Sequence, residues 1–226
     1  MSAITSGYRR EVLSNGLRVI GVKNEGVHSF ACGANVHSGP RFETRSKAGL
    51  THFLEHLLIQ GSENYPGSTD IMRAVENLGG VIDASTMPEY LRVYVAAHSR
   101  HWEEGLRILS DVLRRPRFDP EEVEQEKRII AQEIGEHRDK QGRNISAHEL
   151  NYSLLFKEEI DEAGTRGTPS LLRGFTREMV IEHYKRFFTP QSMVLCVSGN
   201  CDFDAVLRAL EEHLGDWEND KAPPEP

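Results

Sequence analysis

The chain has 226 residues, of which 38% are hydrophobic and 27% charged, and a formal net charge of -8. That suits one large domain or two small ones with a sizeable core, and the acidic balance argues against nucleic acid or an anionic membrane as partner. Three cysteines without a CxxC pair, no apolar run of membrane-spanning length and no secretion-signal core in MSAITSGYRREVLSNGLRVI lead to a reducing, cytoplasmic setting as the expectation.

From the N-terminus, YRREVLSNGLRVIGVK reads as two strands joined at Asn15-Gly16, a dipeptide suited to a tight hairpin. HSFACGANVHSG alternates small and apolar residues like a third strand, and AGLTHFLEHLLIQGS, residues 48–62, reads as an apolar helix. STDIMRAVENLGG has Ser68 or Thr69 to cap a second helix and Gly79-Gly80 to stop it. VIDAST and YLRVYVAA follow as strands, the second alternating between faces.

The middle of the chain is helical. HWEEGLRILSDVLRR stops at Pro116. FDPEEVEQEKRIIAQEIGEHRD has Asp119 as cap, Pro120 at its first position and two glutamates beside the positive helix end. NISAHELNYSLLF is a further helix, and DEAGTRGTPS a loop. Thr176 caps REMVIEHYKRFF, SMVLCVSG reads as a buried strand, and Asp202 caps FDAVLRALEEHL. ENDKAPPEP, residues 218–226, is polar and Pro-rich like a linker, leaving residues 1–217 as the folded unit. Strands mixed with helices, without internal repeats, predict an α+β domain with helices packed on a mainly antiparallel sheet.

Within the apolar helix, His52, Glu55 and His56 fall on an arc of roughly 100°, with Leu50, Phe53, Leu54, Leu57 and Leu58 on the other side. Two imidazoles one turn apart can serve a single metal ion, with Glu55 beside them in reach of a metal-bound water; the polar face of an ordinary surface helix gives the same pattern. A third ligand must come from another element. EEVEQEKRIIAQEIGEH offers Glu126 and Glu133, seven residues apart along the edge of a stripe of Val123, Ile130 and Ile134. His137 reads as a solvated residue at that helix's end, and His98 and His101 as local to a strand–helix junction. His28, His37, His148, His183 and His213 show no ligand spacing. Cys196 reads as core and Cys201, in a turn, as accessible.

HFLEH is the inverted zinc motif His-x-x-Glu-His, and its surroundings resemble the M16 metallopeptidases, the pitrilysin, insulin-degrading enzyme and mitochondrial processing peptidase group. The similarity extends through SGPRFETRSKAGLTHFLEHLLIQGSENYP, AVENLGGVIDASTMPEY, FDPEEVEQEKRIIAQEI and LRGFTREMVIEHYKRFFTPQSMVLCVSGN, in the family's order, over most of residues 8–217. The resemblance implies a single LuxS/metallohydrolase-like domain. It implies a zinc endopeptidase acting on small or unstructured polypeptides, with His52, His56 and Glu133 as Zn2+ ligands, Glu133 being 77 residues after His56. Glu55 is then the base that takes a proton as zinc-bound water attacks the peptide carbonyl, and Glu126 a supporting residue behind the ligands.

Two features depart from the family pattern. Asp83-Ala84 stands where the family usually has Asn-Ala, on a sheet edge implied to pair with substrate. Family enzymes are clamshells whose far half contributes an Arg and a Tyr, and no segment here matches that role. A second M16-type half is therefore expected, in cis beyond residue 226 or in trans as a homo- or heterodimer. The alternative is a non-catalytic scaffold member of the fold that retains metal binding; some relatives, such as the core subunits of respiratory complexes, keep the architecture and lose catalysis. Such members lose ligands or the base, and this chain keeps all four residues.

Overall fold

The computed structural model describes residues 7–155 and 164–217. The tail read as a linker, residues 218–226, lies outside the described residues, as do residue 156 of one predicted helix and 161–163 of the loop after it. Among the described residues six strands form one sheet: β1 (Tyr8–Val12), β2 (Arg18–Lys23), β3 (Ser29–Val36), β4 (Val81–Thr86), β5 (Leu91–His98) and β6 (Met193–Gly199). Their spatial order is β1-β2-β6-β3-β5-β4. Every pairing is antiparallel except β2 with β6. The mainly antiparallel α+β sheet read from the sequence is the observed one.

The helices are α1 (Leu50–Leu58), α2 (Ser68–Glu76), α3 (Trp102–Arg114), α4 (Pro120–Glu136), α5 (Ala147–Leu155), α6 (Pro169–Gly174), α7 (Arg177–Phe187) and α8 (Phe203–Leu214). Strand alternation decides which sheet face they cover. In β3, Phe30, Cys32, Ala34 and Val36 are buried; in β5, Leu91, Val93, Val95 and Ala97 are, while Arg92, Tyr94 and Ala96 between them stay half-buried. Each of the larger apolar side chains stabilises by about 1.5–3 kcal/mol when fully buried. α3 packs on β5 and α8, whereas α1 packs on β4, α4 and α7.

Two features of this sheet matter for function. The late strand β6 lies between β2 and β3, so residues 193–199 complete the same sheet as the N-terminal strands. Among the described residues, β4 forms an edge, with β5 as its single sheet neighbour.

Several local expectations change. The hairpin has a three-residue loop rather than a two-residue turn: Leu13 pairs with Leu17, and Gly16 takes φ 88°, the left-handed position such loops require. Gly67, not Ser68 or Thr69, is the N-cap of α2; its N–H donates to Asp70 at 3.1 Å. Asp119 occupies the N-cap position of α4, but its carboxylate pairs with Arg117 at 2.9 Å instead of capping. Thr176 and Asp202 do cap α7 and α8. Within the predicted loop, Thr168 and Pro169 begin the short helix α6. The cysteine readings reverse: Cys196 falls on the outward side of the alternation along β6 and is exposed, and Cys201 is buried in the core.

Candidate metal centre

α1 is held at its start and from below. Glu43 accepts the Gly49 N–H at 2.8 Å and the Thr51 N–H at 2.5 Å, satisfying donors that a helix start leaves free. Burial pushes the Glu43 carboxyl up to about 7. Leu50, Phe53, Leu54, Leu57 and Leu58 are fully buried, as their arc on the helix predicts, and Phe53 stacks on Phe175. Beneath the helix, Thr51 bonds His183 at 3.0 Å, and His183 reaches Ser38 at 3.4 Å. His183 had no ligand spacing in the sequence, and it serves here as a buried bridge between α7 and α1. These contacts fix the axis from which His52 and His56 project.

The two imidazole rings lie one turn apart, with centroids separated by 4.7 Å. Both direct Nε2 at the same oxygen of α4: His52 Nε2 is 3.7 Å and His56 Nε2 3.5 Å from Glu133 Oε2. Ligand atoms of His52, Glu55 and His56 lie within 4.8 Å of one another. Around a tetrahedral ion with bonds of about 2.0–2.2 Å, neighbouring ligand atoms stand about 3.3–3.6 Å apart. The two histidine–Glu133 distances are close to that spacing. His52 is 7% exposed, and its Nδ1, the nitrogen not aimed at Glu133, has no hydrogen-bond partner among the described residues.

Burial, with His56 beside it, pulls His52 down to about 3, so its imidazole is neutral and offers a lone pair. His56 goes the other way. Burial opposes its charge, but hydrogen bonds to Glu126 and Glu133 outweigh that and raise it to about 9. Glu133 falls to about 2, held by His56 and Arg166 against the effect of burial. Glu55 is raised by burial, opposed by the Thr86 hydroxyl and backbone at the end of β4 and by His56. A carboxylate made more basic beside two imidazoles has the character of a proton acceptor.

The α4 stripe is as the sequence predicts. Val123, Ile130 and Ile134 are buried, and Glu126, 2% exposed, lies with them. Its Oε2 accepts His56 Nδ1–H at 3.0 Å, and its Oε1 accepts Gln60 Nε2–H at 2.9 Å. That hydrogen bond fixes the ring and reserves Nε2 for the side facing Glu133. Sequence reasoning missed Gln60, Arg166 and Glu149. Arg166 donates to Glu133 Oε1 at 2.6 Å and to Glu149 Oε1 at 2.7 Å. Gln60 was accessible to inspection, lying one turn beyond His56, whereas Arg166 sits in a loop whose composition signals only turns.

Asp83 and Ala84 lie on the edge strand β4, with Asp83 exposed and Ala84 buried. The strand runs on to Thr86, beside Glu55. His137 ends α4 outside the histidine–carboxylate cluster. His98 and His101 stay local: Arg100 donates its backbone N–H to His98 and its Nε–H to His101.

Residues 18–161 match a family described as insulinase (peptidase family M16), and residues 174–226 one described as peptidase M16 inactive domain. The chain is 27% identical over 210 residues to the uncharacterized zinc protease YmxG of Bacillus subtilis, covering 93% of this chain and 50% of that protein. The structure of a protease from Helicobacter pylori matches with a TM-score of 0.85 at 20% identity, covering 97% of this chain and 53% of that one. The first half of the periplasmic protease PqqL of Escherichia coli matches with a TM-score of 0.84 at 20% identity, covering 98% and 48%. At that identity the structural likeness concerns the fold. The chain spans about half the length of the curated relatives it matches.

Proposed function

The chain belongs to the insulinase (M16) peptidase family, and from that premise we propose that it is the zinc-binding domain of a metalloendopeptidase for small or unstructured polypeptides. The observation that carries the proposal is the convergence of His52 Nε2 and His56 Nε2 on Glu133 Oε2, with Glu55 in the same cluster. His52, His56 and Glu133 would hold the ion. Bound there, zinc supplies a Lewis acid that polarises a peptide carbonyl and acidifies water.

The chain's own residues supply the rest. Glu55, made more basic by burial, takes the proton of the attacking water on its carboxylate and returns it to the departing amine nitrogen. Glu126 holds His56 through Nδ1 so that Nε2 stays aimed at the ligand set. β4, an edge strand, offers unpaired backbone groups to an extended peptide, with Asp83 and Ala84 along that edge. An exposed Asp83 favours a basic residue in the peptide opposite it.

A second M16-type half, in cis or in trans, would close the substrate chamber; relatives about twice as long support it. The scaffold alternative gives Glu55 no task. The test is metal analysis and hydrolysis of an unstructured peptide, with a partner half supplied. About one zinc per chain is expected, absent in His52→Ala, with hydrolysis abolished by chelation and restored by zinc. Chain that takes up no zinc refutes the proposal.

A further inference from the structure

We propose that Arg166 is a positioning residue for the metal centre. It holds Glu133 by one carboxylate oxygen so that the other faces the two imidazoles, and it is itself held by the buried Glu149. The inference rests on the reading of Glu133 as a zinc ligand.

The geometry divides the Glu133 carboxylate between two tasks. Oε1 accepts Arg166 Nε–H at 2.6 Å, and Oε2 is the atom that both Nε2 nitrogens face, at 3.5 and 3.7 Å. A glutamate side chain with 27% exposure and several rotatable bonds has other rotamers to sample. A rigid donor on Oε1 selects the one that presents Oε2 inward. Arg suits this task, because its planar fork can serve two carboxylates at once in a fixed relation. Its second prong, Nη1, donates to Glu149 Oε1 at 2.7 Å. Glu149 is 5% exposed, and its other oxygen accepts Asn144 Nδ2–H at 2.6 Å.

The backbone on which Arg166 rides is fixed to the helix bearing the histidines. A Cβ on Gly49 would meet Arg166 O at 2.6 Å, and one on Gly167 would meet Ala48 O at 2.3 Å. Both glycines have positive φ, 93° and 74°. Residues 48–49 and 166–167 therefore abut with no space for a methyl group between them. Arg166 is thereby fixed through its backbone to the start of α1, through Nε to α4 and through Nη1 to α5. It sets the distance between the two histidines on one helix and the glutamate on another. A residue that merely neutralised Glu149 would need neither the contact to Oε1 nor that anchorage.

The test compares zinc dissociation constants, by chelator competition, for the parent chain, Arg166→Gln, Glu133→Gln and the double variant. The visible spectrum of the Co2+-substituted proteins serves as a second readout of ligand geometry. Arg166→Gln is expected to weaken zinc binding about 10- to 100-fold and to alter the Co2+ spectrum. The double variant is expected to bind no more weakly than Glu133→Gln alone, because Arg166 acts through that carboxylate. Should Arg166→Gln not fold, Arg166→Lys, which keeps the charge without the fork, and Glu149→Gln carry the same comparison. Parent-like zinc affinity and Co2+ spectrum in a folded Arg166 variant overturn the proposal, as does an additive loss in the double variant. Parent-like affinity in Glu133→Gln overturns it by removing its premise, and identifies the ligand assignment as the failed step.

Discussion

Replacing Glu126 by Gln changes two hydrogen bonds and one charge without changing shape. Glu126 is 2% exposed and accepts one donor on each oxygen, His56 Nδ1–H at 3.0 Å and Gln60 Nε2–H at 2.9 Å. A glutamine keeps one acceptor; its amide group confronts the other donor. Hydrogen bonds to charged groups contribute about 1.5–3 kcal/mol, and a buried donor left unpaired costs about 1–3 kcal/mol. A net loss of about 3 kcal/mol in the zinc-free chain, at about 2–4 °C per kcal/mol, lowers the melting temperature by about 6–12 °C.

The loss depends on pH in a definite direction. His56 is raised from 6.5 to about 9, so its contribution is fully present below pH 6.5 and lost as pH rises through about 9. The gap between parent and variant should therefore narrow in that window. In the zinc-bound protein, a less firmly oriented His56 weakens affinity about 10- to 100-fold. Thermal unfolding of the zinc-free chain and chelator competition measure the two effects. If Glu126→Gln melts with the parent and binds zinc within a factor of two, the orienting hydrogen bond has been misjudged.

The remaining predictions concern catalysis, protons and substrate. Glu55→Gln should retain zinc yet lose about 10²–10⁴-fold in peptide hydrolysis; a fully active variant would place the base elsewhere. Zinc binding at pH 7 should release about one proton, since His56 at about 9 must give one up to become a ligand. Calorimetry in buffers of different ionisation enthalpy reads this, with release vanishing above about pH 10. Asp83→Asn should reduce kcat/KM for peptides with a basic residue opposite β4 by about 1.5- to 5-fold, the size of a cross-strand charge pair; an unchanged preference removes Asp83 from substrate recognition.

Helix α1 was legible because its information is local. His52, Glu55 and His56 fall within five positions, and the leucines between them define the opposite side. The burial of Glu126 beside Ile130 followed from the same periodicity on α4. Arg166 and Glu149 were not legible because their partners are 33 and 17 residues away in sequence, joined through a loop without periodicity. Cys196 was misread for a different reason. SMVLCVSG is apolar enough to be buried on both faces, and composition alone does not say that alternate residues of this strand face outward. Strand order was also invisible: the pairing of β2 with β6 spans most of the chain.

The most direct test is a crystal structure of the zinc-loaded chain with anomalous data at the zinc edge. The ion should lie about 2.0–2.2 Å from His52 Nε2, His56 Nε2 and Glu133 Oε2, with Arg166 still on Glu133 Oε1. Zinc on His56 Nδ1, or zinc that leaves Glu133 outside its ligand set, would contradict the assignment.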